Sequence, residues 1–204
     1  MMSDKYANFS ALAAAETYLI DYHIQYGIRP SGIMMIAPHA GGIESGTSEL
    51  TLEMAGNDHS YFLFEGWKSS GNTDLHITST NFDEPNALRM IRQADYLFSF
   101  HGYSDSVNKH TKVGGLDRTL REQVYNALIA AGFSAEILPD EDLISGTEPE
   151  NFANKTRTGK GVQLEMSSAQ RNAFFDTNTR ADRRNTQNLE FYNYARAVKS
   201  VLPI

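Results

Sequence analysis

Two rhythms of apolar residues run along the chain. Short apolar runs closed off by turn residues recur at 32–38 (GIMMIAP), 60–66 (SYFLFEG), 96–103 (YLFSFHGY), 134–138 (SAEIL) and 161–167 (GVQLEMS). Each predicts a strand buried in a sheet. Between them the apolar positions take helical spacing, at 47–56, 84–94, 117–132 and 187–202. The second of these carries Pro85 in its first turn, where a missing N–H is harmless. The third is the clearest, with Asp117 as N-cap, Leu120, Val124, Leu128 and Ile129 on one stripe, and Gly132 as the stop. Ser10 predicts the cap of a first helix through 11–26, ended by Gly27 with Pro30 beyond. A turn at 69–74 leads to a short strand at 75–78, and the polar stretch 139–161 reads as loop with one helical turn near 149–154.

Strands that alternate with helices predict one α/β domain over residues 1–204. Its central sheet is mostly parallel or mixed, and helices cover both faces. No internal repeat or linker interrupts it. Met34, Met35 and Met54 read as core filler, and the tyrosines of the last helix as packing.

Composition narrows the chemistry. The chain has 204 residues, 41% hydrophobic and 21% charged, as in an ordinary soluble globular protein. Cysteine is absent, so a metal has only His, Asp and Glu to bind it. No run approaches the roughly 20 apolar residues that cross a bilayer. The N-terminal stretch lacks the basic region and cleavage site of a signal peptide. The expectation is synthesis in the cytoplasm, no membrane partner, and any outside role reached through lysis. A net charge of -7 argues against a nucleic-acid coat, although 11 of the 18 Lys and Arg lie between Lys109 and Arg184.

Reactive groups in such sheets gather beyond the carboxyl ends of the strands. Three predicted strands end on ionisable residues: His39, His101 and Glu165. His39 and Glu44 are five residues apart, which on a continuous helix would turn them about 140° from each other. Gly41 and Gly42, both able to take positive φ, would instead fold Glu44 back toward the imidazole. Each feature has a plainer use: two glycines make a turn, and a strand-end histidine makes a hydrogen bond. Together, His39, Glu44 and His101 supply three ligands and leave one position open, the pattern of a catalytic zinc ion. Glu165 is then a non-ligand carboxylate fit to act as general base, or else a partner of Arg171 or Lys160.

The motifs APHAGGIE, HITSTNFDEP, FHGY, VGGL and GKGVQLEMSSAQR, in this order over residues 8–200, resemble the poly-γ-glutamate hydrolases of Bacillus phages and their hosts. That resemblance implies a fold similar to a compact zinc carboxypeptidase. It implies one Zn2+ on His39, Glu44 and His101, Glu165 as the base, and poly-γ-glutamate as the polyanionic substrate. The spacing departs from carboxypeptidases, which separate the first His and Glu by two residues where four intervene here. Their adjacent Asn-Arg clamp for a terminal carboxylate has no counterpart, which points to cleavage within a chain. For the substrate carboxylates, Arg171 is the first candidate. Lys109, His110 and Lys112 follow, and His76 is placed to donate to substrate or oxyanion. The protein reads as a monomer. The same chemistry would serve an N-acyl-amino-acid deacylase or a γ-glutamyl peptidoglycan peptide hydrolase, and the same fold a polyanion-binding module without catalysis.

Overall fold

The computed structural model describes residues 4–203 and shows a seven-stranded mixed sheet between two layers of helix. In chain order the elements are α1 (Phe9–Ala15), β1 (Tyr22–Gly27), β2 (Ile33–Gly41), α2 (Thr47–Ala55), β3 (Ser60–Gly66), α3 (Pro85–Ile91), β4 (Tyr96–Tyr103), β5 (Thr111–Gly114), α4 (Arg118–Ala130), β6 (Ala135–Ile137), β7 (Val162–Ser167), α5 (Ser168–Ala173) and α6 (Leu189–Lys199). The strand order is β1-β3-β2-β4-β7-β5-β6. The four central strands are parallel, while β1 and the β5–β6 pair run against their neighbours.

Alternation along the strands separates two cores. Met35, Phe98, Phe100, Leu164 and Met166 face α2, α4 and α6 through Leu50, Val124, Phe191 and Tyr194. Met34, Ile36, Phe62, Phe64 and Leu97 face α1 and α3 through Leu12, Ala87 and Ile91. Side chains one step further along this second face, beyond Leu97, are Ser99 and His101, so the polar site grows directly out of an apolar core.

Several expectations are corrected. The first helix is α1 alone, capped by Asn8 rather than Ser10, and residues 22–26 form the edge strand β1. Leu19, at φ +66°, reverses the chain between them. Tyr22, Ile24 and Tyr26 are strand formers that pack against β3, which outweighs the local helical rhythm. Residues 75–78 form no strand, because their backbone groups bind side chains instead: Ile77 C=O takes His39 Nε2–H and Thr78 N–H reaches Asp4. Ile129 lies off the buried stripe of α4 and is exposed. Both β5 and α5 lie outside the predicted elements. With one fully apolar residue, Val113, β5 is recruited by pairing with β7, and α5 is a six-residue turn capped by Ser167.

Candidate active site

A single extra residue in β2 aims the first candidate ligand, His39. Ala37 pairs with Leu63 but Ala40 pairs with Glu65, so three steps on β2 match two on β3. Pro38 sits at this bulge, where it has no N–H to give to the ladder. One inserted residue inverts the alternation of faces, and His39 thereby points to the same side as His101. Without the bulge it would enter the opposite core.

Gly41 then turns the chain at φ +68°, in the left-handed region, with Gly66 C=O only 2.7 Å from where a Cβ would stand. Gly42 needs no positive φ; its neighbour Asn72 leaves no room for a side chain. Glu44 N–H closes the turn on His39 C=O at 2.8 Å, which brings the carboxylate back to the imidazole. The turn is gripped from outside. Gly41 N–H donates to Ser48 Oγ, which donates to Glu65, and Arg183 Nη2 donates to Gly41 C=O.

Three potential donor atoms converge. His39 Nδ1 lies 3.2 Å from His101 Nδ1 and 3.3 Å from Glu44 Oε1, and His101 Nδ1 lies 3.9 Å from Glu44 Oε2. All three side chains are buried. Each imidazole is also oriented from behind. His39 Nε2–H donates to Ile77 C=O at 2.8 Å, and His101 Nε2 bonds Ser99 Oγ at 2.7 Å. This is the outer arrangement that fixes the tautomer of a metal-binding histidine. Burial, reinforced by His39, drives the His101 imidazole down to about 3, so it is neutral with a free lone pair. Burial also pushes His39 down, but the Glu44 carboxylate outweighs it and raises the group. Two imidazole nitrogens and one ionised carboxylate fit a divalent zinc ion by donor type.

Glu165 is the strand neighbour of His101, Cα partner to Cα partner, with its side chain on the same face. Burial raises its carboxyl well above the usual range and the Glu44 charge adds to this; Gln163, Arg171 and Lys112 only partly oppose it. Neither plainer partner claims it: Lys160 pairs with Asp117, and Arg171 bonds the carbonyls of Met166, Ser45 and Tyr103.

A cavity of about 320 Å³ opens beside Glu44, lined by His76, Gly102, Tyr103, Ser168, Arg171 and Asp4 among others. Gly102 explains itself here. Its N–H donates to Glu44 Oε2 at 2.8 Å, and any Cβ would overlap the Arg171 guanidinium, which lies flat against it. Arg171 bonds three carbonyls with five N–H donors, so its fork retains capacity toward the cavity. His76 lies against His39, ring centres 4.0 Å apart and planes tilted by 31°, and its Nδ1 is held by Asp4 at 3.0 Å. The remaining atom for substrate is therefore Nε2. Lys112 faces Glu165 across the β5–β7 pairing and sits over the Tyr103 ring. Lys109 and His110 turn elsewhere, to Glu190 and to Ser134 and Glu136. Asp4 joins the site without any earlier signal, since it arrives from 72 residues away in sequence, and Tyr103, the end of the FHGY motif, joins it without an expected role.

Residues 6–197 match the family model described as Poly-gamma-glutamate hydrolase, and the chain belongs to that family. It is 46% identical over 194 residues to the SPbeta prophage-derived UPF0714 protein YoqZ of Bacillus subtilis (strain 168), covering 95% of this chain and 70% of that protein. The structure of a bacteriophage poly-gamma-glutamate hydrolase superposes with a TM-score of 0.92 at 43% identity, covering 98% of this chain and 96% of that one. A zinc-free apo structure of YndL gives 0.94 at 39% identity, covering 98% and 97%. The α/β fold expected from the sequence is thereby established, as is the family.

Proposed function

We propose that this protein is a zinc-dependent hydrolase that cuts γ-glutamyl amide bonds within poly-γ-glutamate. The observation that carries the reading is the buried His39–Glu44–His101 donor set beside a carboxylate held unusually basic. His39, Glu44 and His101 would hold one Zn2+, which when bound would supply Lewis acidity to the scissile carbonyl and to the attacking water. Glu165 accepts a proton from that water and returns it to the departing amine. Arg171, aimed by three carbonyls, offers its spare N–H donors to a substrate carboxylate or to the developing oxyanion. His76 Nε2 contacts the substrate, and Lys112 keeps a positive charge beside the base. Lys109 and His110, engaged outside the cavity, meet only outlying carboxylates of a long chain. Family membership and the superposition on a bacteriophage enzyme support the substrate; the zinc-free description of the YndL structure supports the metal.

The protein acts as a monomer on a polymer outside the producing cell, as a capsule depolymerase released by lysis. Among the described residues no helix is long and apolar enough to cross a membrane. The test is viscosity of a poly-γ-glutamate solution. Internal cutting makes viscosity fall steeply before small products accumulate; release of glutamate with viscosity preserved would contradict it. Chelation should stop the reaction and zinc restore it.

A further inference from the structure

We propose that Gln163 is a positioning residue that holds Glu165 by one oxygen, and that Asn151 sets the direction in which Gln163 acts. This deepens the proposed function and rests on its assignment of Glu165 as the base.

Gln163 and Glu165 are two apart on β7, so both side chains face the site. Gln163 Nε2 donates to Glu165 Oε1 at 2.9 Å and to Ile144 C=O at 3.3 Å. Its own Oε1 accepts from Asn151 Nδ2 at 3.2 Å, and Asn151 Oδ1 accepts from Ala153 N–H at 2.9 Å. The sense of this string is fixed at its far end. A backbone N–H only donates, so Asn151 must turn its oxygen to Ala153 and its NH2 to Gln163. Gln163 must then turn its own NH2 to the carboxylate. All three side chains are buried, Asn151 and Gln163 at 3% exposure each.

Space is kept for the string. Gly146, at φ +68°, stands where a Cβ would come within 2.7 Å of Gln163 Oε1. Ile144 and Gly146 belong to the stretch that the polar pattern marks as loop, and Asn151 caps the helical turn expected near 149–154. That loop folds inward to build a socket around Gln163.

A neutral amide is a particular choice. A guanidinium or ammonium in its place would orient the carboxylate but also hold it ionised and weaken it as a base. An amide fixes the direction and leaves the charge uncancelled. Pinning Oε1 makes Oε2 the oxygen that meets water, at a set angle rather than over a swing of the side chain.

The test uses zinc-loaded enzyme and the variants Gln163→Met and Asn151→Asp. Methionine keeps the length of the side chain and removes the donor. Aspartate at 151 keeps the acceptor for Ala153 but cannot donate to Gln163. Each should lose about 10- to 100-fold in kcat, the weight of one charge-assisted hydrogen bond. KM and bound zinc should stay within about twofold of wild type, an interaction felt in turnover alone. The decisive readout is the pair with Glu165→Asp, whose shorter carboxylate leaves the reach of Gln163. On that background Gln163→Met should change nothing.

Wild-type kcat in folded, zinc-loaded Gln163→Met overturns the proposal. So does a loss that persists in full on the Glu165→Asp background, or one that tracks zinc content or melting temperature, since either marks a merely structural residue. Wild-type kcat in Asn151→Asp removes Asn151 from it. Failure of the base itself looks different: Glu165→Gln would then turn over at the wild-type rate.

Discussion

Glu44 and Glu165 are buried almost equally, 9% and 7% exposed, within one site, yet the protein drives them in opposite directions. Burial raises both. At Glu44 it is outweighed by His39, a hydrogen bond to His39, His101 and Arg171, and the carboxyl ends below its ordinary value. At Glu165 burial is reinforced by the charge of Glu44 and opposed only by a neutral amide and more weakly coupled cations, so the carboxyl ends well above it. Environment, not residue type, divides the labour. A ligand must stay ionised to hold a cation, whereas a base must take up and release a proton near neutrality. The supporting structures match. The turn that presents Glu44 is gripped by ionic groups, with Arg183 beside Glu49 and Ser48 beside Glu65. Glu165 is held by one neutral amide of its own strand, Gln163, which Asn151 and Ile144 of a folded loop hold in turn.

The two carboxylates should fail in different ways, and this gives the largest expected effects. Glu44→Gln removes the negative charge from the donor set, and metal analysis after dialysis should find zinc lost together with activity. Glu165→Gln should retain zinc stoichiometrically and lose turnover by about 10²- to 10⁴-fold, the usual worth of a general acid–base group. Equal zinc contents in both variants would erase the division.

Next in size is Gly102→Ala. The added methyl must displace the Arg171 guanidinium, which overlaps its position while bonded to three carbonyls. KM for poly-γ-glutamate should rise about tenfold or more while zinc stays bound, the signature of a lost binding contact. An unchanged KM would show that Arg171 does not bind substrate. Gly41→Ala tests the turn itself. A side chain at φ +68° against the Gly66 carbonyl should cost about 1–3 kcal/mol of stability, read from urea unfolding. It should also weaken zinc, because His39 and Glu44 flank it.

How much of this was legible depends on whether a residue acts through its own neighbours or through distant ones. β3 and β4 match the apolar runs at 60–66 and 96–103 residue for residue. Their side chains make the core, so their pattern is the pattern of burial. The convergence of His39, Glu44 and His101 was legible as a candidate set, because a glycine pair within five residues folds Glu44 back to His39 and His101 closes a neighbouring apolar strand. The direction of His39 is not readable. It depends on a bulge at Pro38 that only the register with β3 reveals. The stretch 139–161 reads as polar loop with one helical turn near 149–154, and the turn is there at 152–154, but the pattern gives no sign that Asn151 and Asn154 point inward to buried carbonyls and amides. Polarity predicts exposure only where nothing polar waits inside. Asp4 at the site and Tyr22 in a strand share one cause, a partner far along the chain that local periodicity cannot register.

The smallest effect separates the carboxylates without any assay of activity. Glu165 has a folded-state pKa raised by burial first and by Glu44 second, so ionising it opposes folding. For a carboxyl with a raised pKa the penalty is absent below the unfolded value of about 4.3, where both states are protonated. It grows as pH rises from there and levels off above the folded-state pKa. Chelator-treated Glu165→Gln, which cannot ionise, should therefore melt above the chelator-treated wild type at pH 7. The gap should close as pH falls through the ordinary carboxylate range. Glu44→Gln, likewise freed of metal, should show the reverse, because its ionised form is the one the folded protein favours. Two chelated variants with equal melting temperatures at pH 7 would mean that the site does not divide its carboxylates before the metal arrives. The asymmetry would then belong to the ion rather than to the fold.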